Sequence, residues 1–248
     1  MKITANIITL NEEKNIEAVI RSVAQVCDEI LVVDSQSSDR TQEIAKSLGA
    51  RVIVQPYLGD GPQKKVAERH ASHAWILSLD ADERLDENAI AAIKALDLDA
   101  TPYDAYSFRR KTFIGDRFIK LWYPDRRIRL YNIKQGAGFS EAMGHAGVVA
   151  KAPYALDADL LHYSYEDYAQ MVGTIKKFSQ RGAKMMFDAG KRASWYDPFT
   201  HGFSSLFKKL VLKGGMFQGV DGWSVSIISA FNTYIKYVML LELQKDLK

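Results

Sequence analysis

Apolar and polar positions alternate along the first hundred residues in two rhythms. Ile3–Thr9 is a mostly apolar run of strand length, and Ile16, Val19, Ile20 and Val23 then recur at i, i+3, i+4 and i+7. The second spacing is that of a helix with one face packed on a sheet. Glu29–Asp34 is apolar throughout between its acidic ends, the pattern of a parallel strand covered on both faces. Ser38 and Asp39 stand where they can cap a helix beginning near Thr41, and Gly49 stands where it can end one. Arg51–Val54 and residues 74–79 add a third and a fourth strand, and Asp86 is placed to cap a helix over 87–96. Strands spaced by helices in this way build right-handed βαβ units and a parallel sheet.

Beyond residue 100 the rhythm changes. Residues 105–112, 126–131 and 147–150 read as shorter strands of a mixed sheet, and 165–187 as one long helix. Phe203, Leu206, Phe207, Leu210 and Val211 share a helical face beside Lys208, Lys209 and Lys213. Such a basic amphipathic helix either packs on its own domain or lies in a membrane interface and favours anionic lipid. The uncharged stretch 223–235 falls short of the roughly twenty residues that cross a bilayer, so peripheral attachment is expected rather than a transmembrane anchor.

Composition narrows the class. With 248 residues, 47% hydrophobic and 25% charged, the chain is long enough for one large α/β domain, or a domain with a tail, and is ordinary for a soluble protein. A net charge of +3 gives no reason to expect nucleic acid as a partner. The single cysteine, Cys27, excludes an intrachain disulfide and reads as a small buried hydrophobe on a helix. The N-terminus enters a strand at once, with no apolar leader, which places the chain in the cytoplasm as an expectation.

Ligands of doubly wound sheets bind at the C-terminal ends of the strands. Three polar clusters fall there: Thr9 to Glu13 after the first strand, Asp34 to Asp39 after the second, and Asp80-Ala81-Asp82-Glu83 after the fourth. Asp80 and Asp82, two apart in an extended segment, leave on one side, and paired carboxylates are costly to hold together without a cation. Hard divalent ions such as Mg²⁺ or Mn²⁺ take such oxygens and share them with substrate phosphates. Neither Gly-x-Gly-x-x-Gly nor a P-loop occurs, so a glycine cradle does not hold the phosphates. Taken singly, Asn11 and Ser38 are equally good helix caps and Asp34 an equally good turn residue; the placement of three clusters at one sheet edge favours a nucleotide site.

These residues resemble a known family. The stretches Asn6 to Glu13, Val32 to Thr41 and Leu77 to Glu83 look like the fingerprints of family-2 glycosyltransferases of the GT-A fold. Asp80 to Leu85, Arg127 to Tyr131, Leu161 to Tyr165, Lys213 to Gly222 and Lys236 to Glu242 are similar to the lipopolysaccharide core β-1,4-glucosyltransferase group. The resemblance implies an α/β fold with a GT-A-type doubly wound mixed sheet, a catalytic domain over 1–190 and a C-terminal helical extension over 191–248. Within that domain, 1–100 would hold the nucleotide sugar and 101–165 the acceptor. It implies a UDP-sugar donor, a lipopolysaccharide core or glycolipid acceptor, and Mg²⁺ or Mn²⁺. Thr9, Asn11, Glu12 and Asp34 would contact uracil and ribose, Asp80 the ribose, and Asp82 the metal. His162 stands where the family often has a histidine near the metal or phosphates, or is a hydrogen-bonded core histidine. Gln63 and Lys64 line the nucleotide pocket or lie in a solvated loop. Trp122 to Arg127 sets aromatics beside cations, as a phosphorylated glycolipid would suit. The chain departs from the subgroup at the expected His-Glu pair, where it has His145-Ala146. Glu141 from a shifted loop, or His145, whose imidazole titrates near neutrality, is left to act as base; a different acceptor, or a binding protein without turnover, is the alternative.

Overall fold

Four strands form where the apolar runs place them: β1 (Ile3–Thr9), β2 (Glu29–Asp34), β3 (Arg51–Val54) and β4 (Trp75–Asp80). The computed structural model describes residues 2–140 and 147–245. Two compact units divide the chain, one of Met1–Lys111 with Pro124–Tyr163 and the other of Thr112–Tyr123 with Ser164–Lys248.

In the first unit the four strands are parallel, with β1 between β2 and β4 and β3 at the outer edge. The crossovers are α1 (Ile16–Val23), α2 (Thr41–Ser47) and α3 (Asp60–His70). The sheet continues through β8 (Asp125–Asn132), β6 (Ala105–Ile114), β11 (Pro153–Tyr165) and the short β5 (Glu83–Leu85). There β8 runs antiparallel to both β4 and β6, and β11 antiparallel to β5, so the sheet is mixed as expected. Between β5 and β6 lies α4 (Glu87–Lys94), whose first turn is capped by Asp86 accepting from the Ala89 amide at 2.8 Å.

Strand alternation sorts the core. Ile3, Ala5, Ile7, Val32, Trp75, Leu77 and Leu79 pack with the buried stripe Ile16, Val19, Ile20 and Val23 of α1. Leu31 and Val33 pack instead with Ala67 of α3. Both faces are therefore covered, which is why Glu29–Asp34 carries apolar residues at successive positions. Each fully buried large side chain contributes roughly 1.5–3 kcal/mol, so these stripes dominate the stability of the unit. Cys27 packs against the same core just beyond α1, where burial, then the charge of Asp28, pushes its thiol up.

Several expectations need correcting. Gln63 and Lys64 lie buried in α3 rather than in a solvated loop. The hydropathy rhythm misses this helix because the inward positions 63, 64 and 68 are polar. The expected strand at 147–150 shrinks to β10 (Val148–Val149), paired with β9 (Gly138–Phe139), and β11 was not anticipated.

The second unit begins with the end of β6, where Phe113 and Ile114 pair with β7 (Arg117–Phe118). The helix expected over 165–187 is two helices, α5 (Tyr168–Gly173) and α6 (Ile175–Asp188), separated at Thr174. Asp167 caps the first by accepting from the Gln170 amide at 2.7 Å. Then come α7 (Asp197–Phe207), a π-helical turn (Lys208–Leu212) and α8 (Gly219–Lys245). The face expected to unite 203–211 is split: Leu210 is buried while Phe203, Phe207 and Val211 are exposed. At 27 residues, with an 18-residue window of mean hydropathy 1.3, α8 is long and apolar enough to cross a membrane by length and composition. The shorter expectation stopped at Lys236, which lies within the continuing helix with its side chain over Gly182. The core of this unit is Ile114, Ile119, Leu121, Met171 and Val225.

Candidate active site

Parallel register brings the three polar clusters together. Thr9 is opposite Asp34 and Ile8 is opposite Asp80, so the ends of β2, β1 and β4 are neighbours. Beyond them the β1–α1 and β2–α2 loops are stitched reciprocally. The Asn11 amide donates to Ser37 Oγ at 2.8 Å, and Asn11 Oδ1 accepts from the Ser38 amide at 2.8 Å. The Glu12 amide donates to Thr41 Oγ1 at 2.8 Å. Asn11 sits at φ 54°, a left-handed conformation that asparagine tolerates better than most residues. Ser38 therefore serves the loop rather than capping α2, and it is the Asp39 carboxylate that accepts from the Thr41 amide at 3.0 Å.

Asp34 is fully buried. Its Oδ1 accepts from the Ser37 amide at 2.9 Å and Gln42 Nε2 at 2.7 Å, and its Oδ2 from Ser37 Oγ at 2.5 Å. Thr9 Oγ1 is buried and has no hydrogen-bond partner among the described residues. An orphaned hydroxyl at a strand's C-terminal end is a feature that a ligand would satisfy.

Asp80 and Asp82 have separate partners. Lys64 Nζ lies 2.7 Å from Asp80 Oδ1, and Arg129 Nη2 lies 3.0 Å from Asp80 Oδ2. Asn6 Nδ2 donates to the Lys64 carbonyl at 3.1 Å, which ties α3 to β1. Arg129 also meets Glu83 Oε1 at 2.5 Å, and Arg110 meets the same oxygen at 3.3 Å. Burial alone would raise Asp80, but the Lys64 ammonium, then the Arg129 guanidinium, outweigh it and hold the carboxyl below its usual range. Glu83 is likewise lowered, burial being overcome chiefly by Arg129. Lys64 is depressed by burial, with Asp80 opposing.

Asp82, a quarter exposed, faces His162, whose Nε2 is 3.2 Å from Asp82 Oδ2. Its carbonyl accepts from the Tyr163 amide at 2.9 Å, which fastens the β4–β5 turn to β11. The cation expected between the two aspartates is thus supplied to Asp80 by the chain's own Lys64 and Arg129. A divalent ion would find Asp82 and His162 as its donors from the chain. A carboxylate oxygen beside an imidazole nitrogen suits Mn²⁺, and Mg²⁺ takes one or two carboxylates with phosphate and water. Among the described residues no group of three His, Cys, Asp or Glu encloses an ion, so the remaining donors would come from diphosphate and water. The residues present fit the ion as partners in a shared site.

Glu141 and His145 lie outside the described residues. Phe139, shortly before them, lies against the site, with Lys64 Nζ 4.9 Å from its ring centre. Glu83, Arg110 and Arg129 were not given roles from sequence. The signal was available for one of them: alternation in β8 puts Arg129 on the same face as buried Tyr131, an unusual position for an arginine without a buried acid.

Comparison with known proteins places the chain in a family. Residues 4–145 match the family described as Glycosyl transferase family 2. An uncharacterized glycosyltransferase of Rickettsia typhi is 34% identical over 98% of this chain and 87% of its own length. The lipopolysaccharide core biosynthesis glycosyltransferase LpsC of Rhizobium meliloti is 26% identical, covering 95% of this chain and 90% of that protein. Among solved structures, the mannosyltransferase PcManGT of Pyrobaculum calidifontis, in complex with GDP-Man and Mn²⁺, superposes with a TM-score of 0.52 at 15% identity, over 93% of this chain and 73% of that one. S. aureus TarS 1–349 in complex with UDP-GlcNAc gives 0.51 at 15% identity, over 100% and 93%. The mixed sheet with polar clusters at its parallel strand ends is the α/β architecture of GT-A glycosyltransferases. The chain belongs to glycosyl transferase family 2.

Proposed function

We propose that this glycosyltransferase is a metal-dependent, inverting hexosyltransferase that moves a hexose, glucose by resemblance, from a UDP-sugar to a lipopolysaccharide core sugar or related glycolipid. The observation that carries the reading is the Asp82–His162 pair beside a charge-clamped Asp80 at the C-terminal rim of the parallel strands. Thr9, Asn11, Glu12 and Asp34 take the uracil and ribose. Asp80, kept ionised by Lys64 and Arg129, retains lone pairs for a ribose hydroxyl. Asp82 and His162 hold Mg²⁺ or Mn²⁺, which when bound supplies Lewis-acid stabilisation of the leaving diphosphate. Glu141 or His145 accepts the proton of the attacking hydroxyl. The likeness to LpsC supports the acceptor class, and residues 191–248 form a membrane-associating extension at the inner face of the cytoplasmic membrane.

The test begins with thermal stabilisation by nucleotide sugars, with and without Mn²⁺. A ligand at a hundred times its dissociation constant adds about 2.7 kcal/mol, a clear rise in melting temperature. UDP release in the presence of a lipopolysaccharide core acceptor should follow, and Asp82→Asn should remove both turnover and the manganese-dependent part of the stabilisation while the fold persists. Stabilisation without UDP release would leave a nucleotide-sugar-binding protein. Equal stabilisation of wild type and Asp82→Asn by UDP-sugar with manganese would sink the metal assignment.

A further inference from the structure

Within the second unit, α7 and α8 pack as a helical hairpin. Gly202 permits the close approach, since a β-carbon there would sit 3.3 Å from Tyr234 Cβ, and His201 stacks on Tyr237 with ring centres 4.1 Å apart. Each helix leaves an apolar stripe uncovered. On α7 it is Phe199, Phe203 and Phe207 at intervals of four, and on α8 it is Val220, Trp223 and Ile227 at intervals of three and four. Exposure reaches 71% at Phe203 and, in the turn between the helices, 83% at Phe217. Large apolar side chains clustered in this way mark an interaction surface rather than ordinary scatter.

Charge identifies the partner. Lys208, Lys209 and Lys213 stand at the joint of the hairpin, in and just after the π-helical turn. Burial lowers Lys209, and the charges of Lys213 and Lys208 press in the same direction. Crowded cations bordering an apolar aromatic face match the boundary between anionic headgroups and acyl chains.

By composition α8 could cross the bilayer instead, but its polar ties run along its whole length. Tyr168 Oη donates to Asp221 Oδ1 at 2.6 Å, and Ser179 Oγ donates to Asn232 Oδ1 at 2.6 Å. Near the far end Gln244 Nε2 donates to the Ala193 carbonyl at 2.9 Å, and its Oε1 accepts from the Ala193 amide at 2.5 Å. A crossing would strip these partners in a medium with no water to replace them. We propose that α7 and α8 dock together in the plane of an anionic bilayer, with Phe203, Phe217 and Trp223 inserted and the three lysines at the headgroups. The surface gives a geometry to the membrane contact in the proposed function and rests on that reading.

Full-length protein should sediment with vesicles of phosphatidylcholine and phosphatidylglycerol far more than with phosphatidylcholine alone. Replacing two inserted aromatics (Phe203→Ser with Trp223→Ser) should weaken binding about a hundredfold, from the apolar burial lost. Lys208→Gln, Lys209→Gln and Lys213→Gln together should cost about a hundredfold on anionic vesicles, at about 1 kcal/mol per lysine. Melting temperature verifies that each variant folds. No sedimentation with anionic vesicles, or undiminished sedimentation of the aromatic variant, overturns the proposal, as would concentration-dependent dimerisation through this face in place of lipid binding. So would protection of Lys245→Cys from an impermeant maleimide added outside intact proteoliposomes, since that would mean α8 crosses. Stabilisation by UDP-sugar and manganese, measured without vesicles, reports the donor site separately, so either reading can fail alone.

Discussion

Glu83 has no exposed side-chain surface and depends on Arg129 and Arg110 for its charge. Arg129→Met would leave that carboxylate with Arg110 alone, at 3.3 Å, and remove one of the two cations on Asp80. Breaking a buried pair from one side costs about 3–5 kcal/mol, so the urea midpoint should fall sharply, whereas removing Glu83 and Arg129 together should cost less than the two singles summed. Glu29 makes a pH-dependent contribution elsewhere. Burial raises it, but the Ser72 amide, then Thr4 and Arg51, bring it from 4.5 to about 2. The folded state therefore binds the proton less readily than the unfolded one. Its stabilisation is complete above pH 4.5 and fades as pH falls towards 2. With solvent screening the loss is about 1 kcal/mol, and Glu29→Gln should flatten that part of an acid titration of stability. At this scale the aspartates were legible because their spacing is local. The Lys64 and Arg129 clamp was not, because its members meet only once α3 and β8 are laid against β4.

Elements were legible to the extent that their inward positions are apolar. The stripe of α1 and the run of β2 announce themselves, and so does the cap at Asp86. Asp86→Ala should cost about 1 kcal/mol, read as a fall in melting temperature. By contrast α3 buries Gln63, Lys64 and Glu68, so its periodicity carries no hydrophobic signal. Its inward face is spent on polar ties: Gln63 Nε2 donates to Ser35 Oγ at 3.0 Å, and Glu68 Oε1 accepts from Tyr131 Oη and the Phe139 amide, each at 2.9 Å. The first turn of α8 is tight for a different reason. A β-carbon at Gly222 would overlap the Gly215 carbonyl oxygen, so Gly222→Ala should destabilise by about 1–3 kcal/mol through overpacking, measured by thermal unfolding.

For the molecule as a whole, the mixed α/β class followed from the change of rhythm near residue 100. The division into units did not, because Thr112–Tyr123 joins a unit otherwise made of residues from 164 onward. Hydropathy along a chain shows segments, not which distant segments share a core. Ile114, Ile119 and Leu121 share theirs with Met171 and Val225. A chain ending at residue 190 should therefore lose soluble yield and bind a hydrophobic dye, since Val225 no longer closes that cluster.

The same discontinuous core bears on biosynthesis. A ribosome delivers Ile114, Ile119 and Leu121 long before Val225 leaves the exit tunnel, and domains generally fold as units once their sequence has emerged. For much of translation the nascent polypeptide therefore carries a sticky region awaiting its final partner, and completion of α8 is the event that lets this half of the protein close.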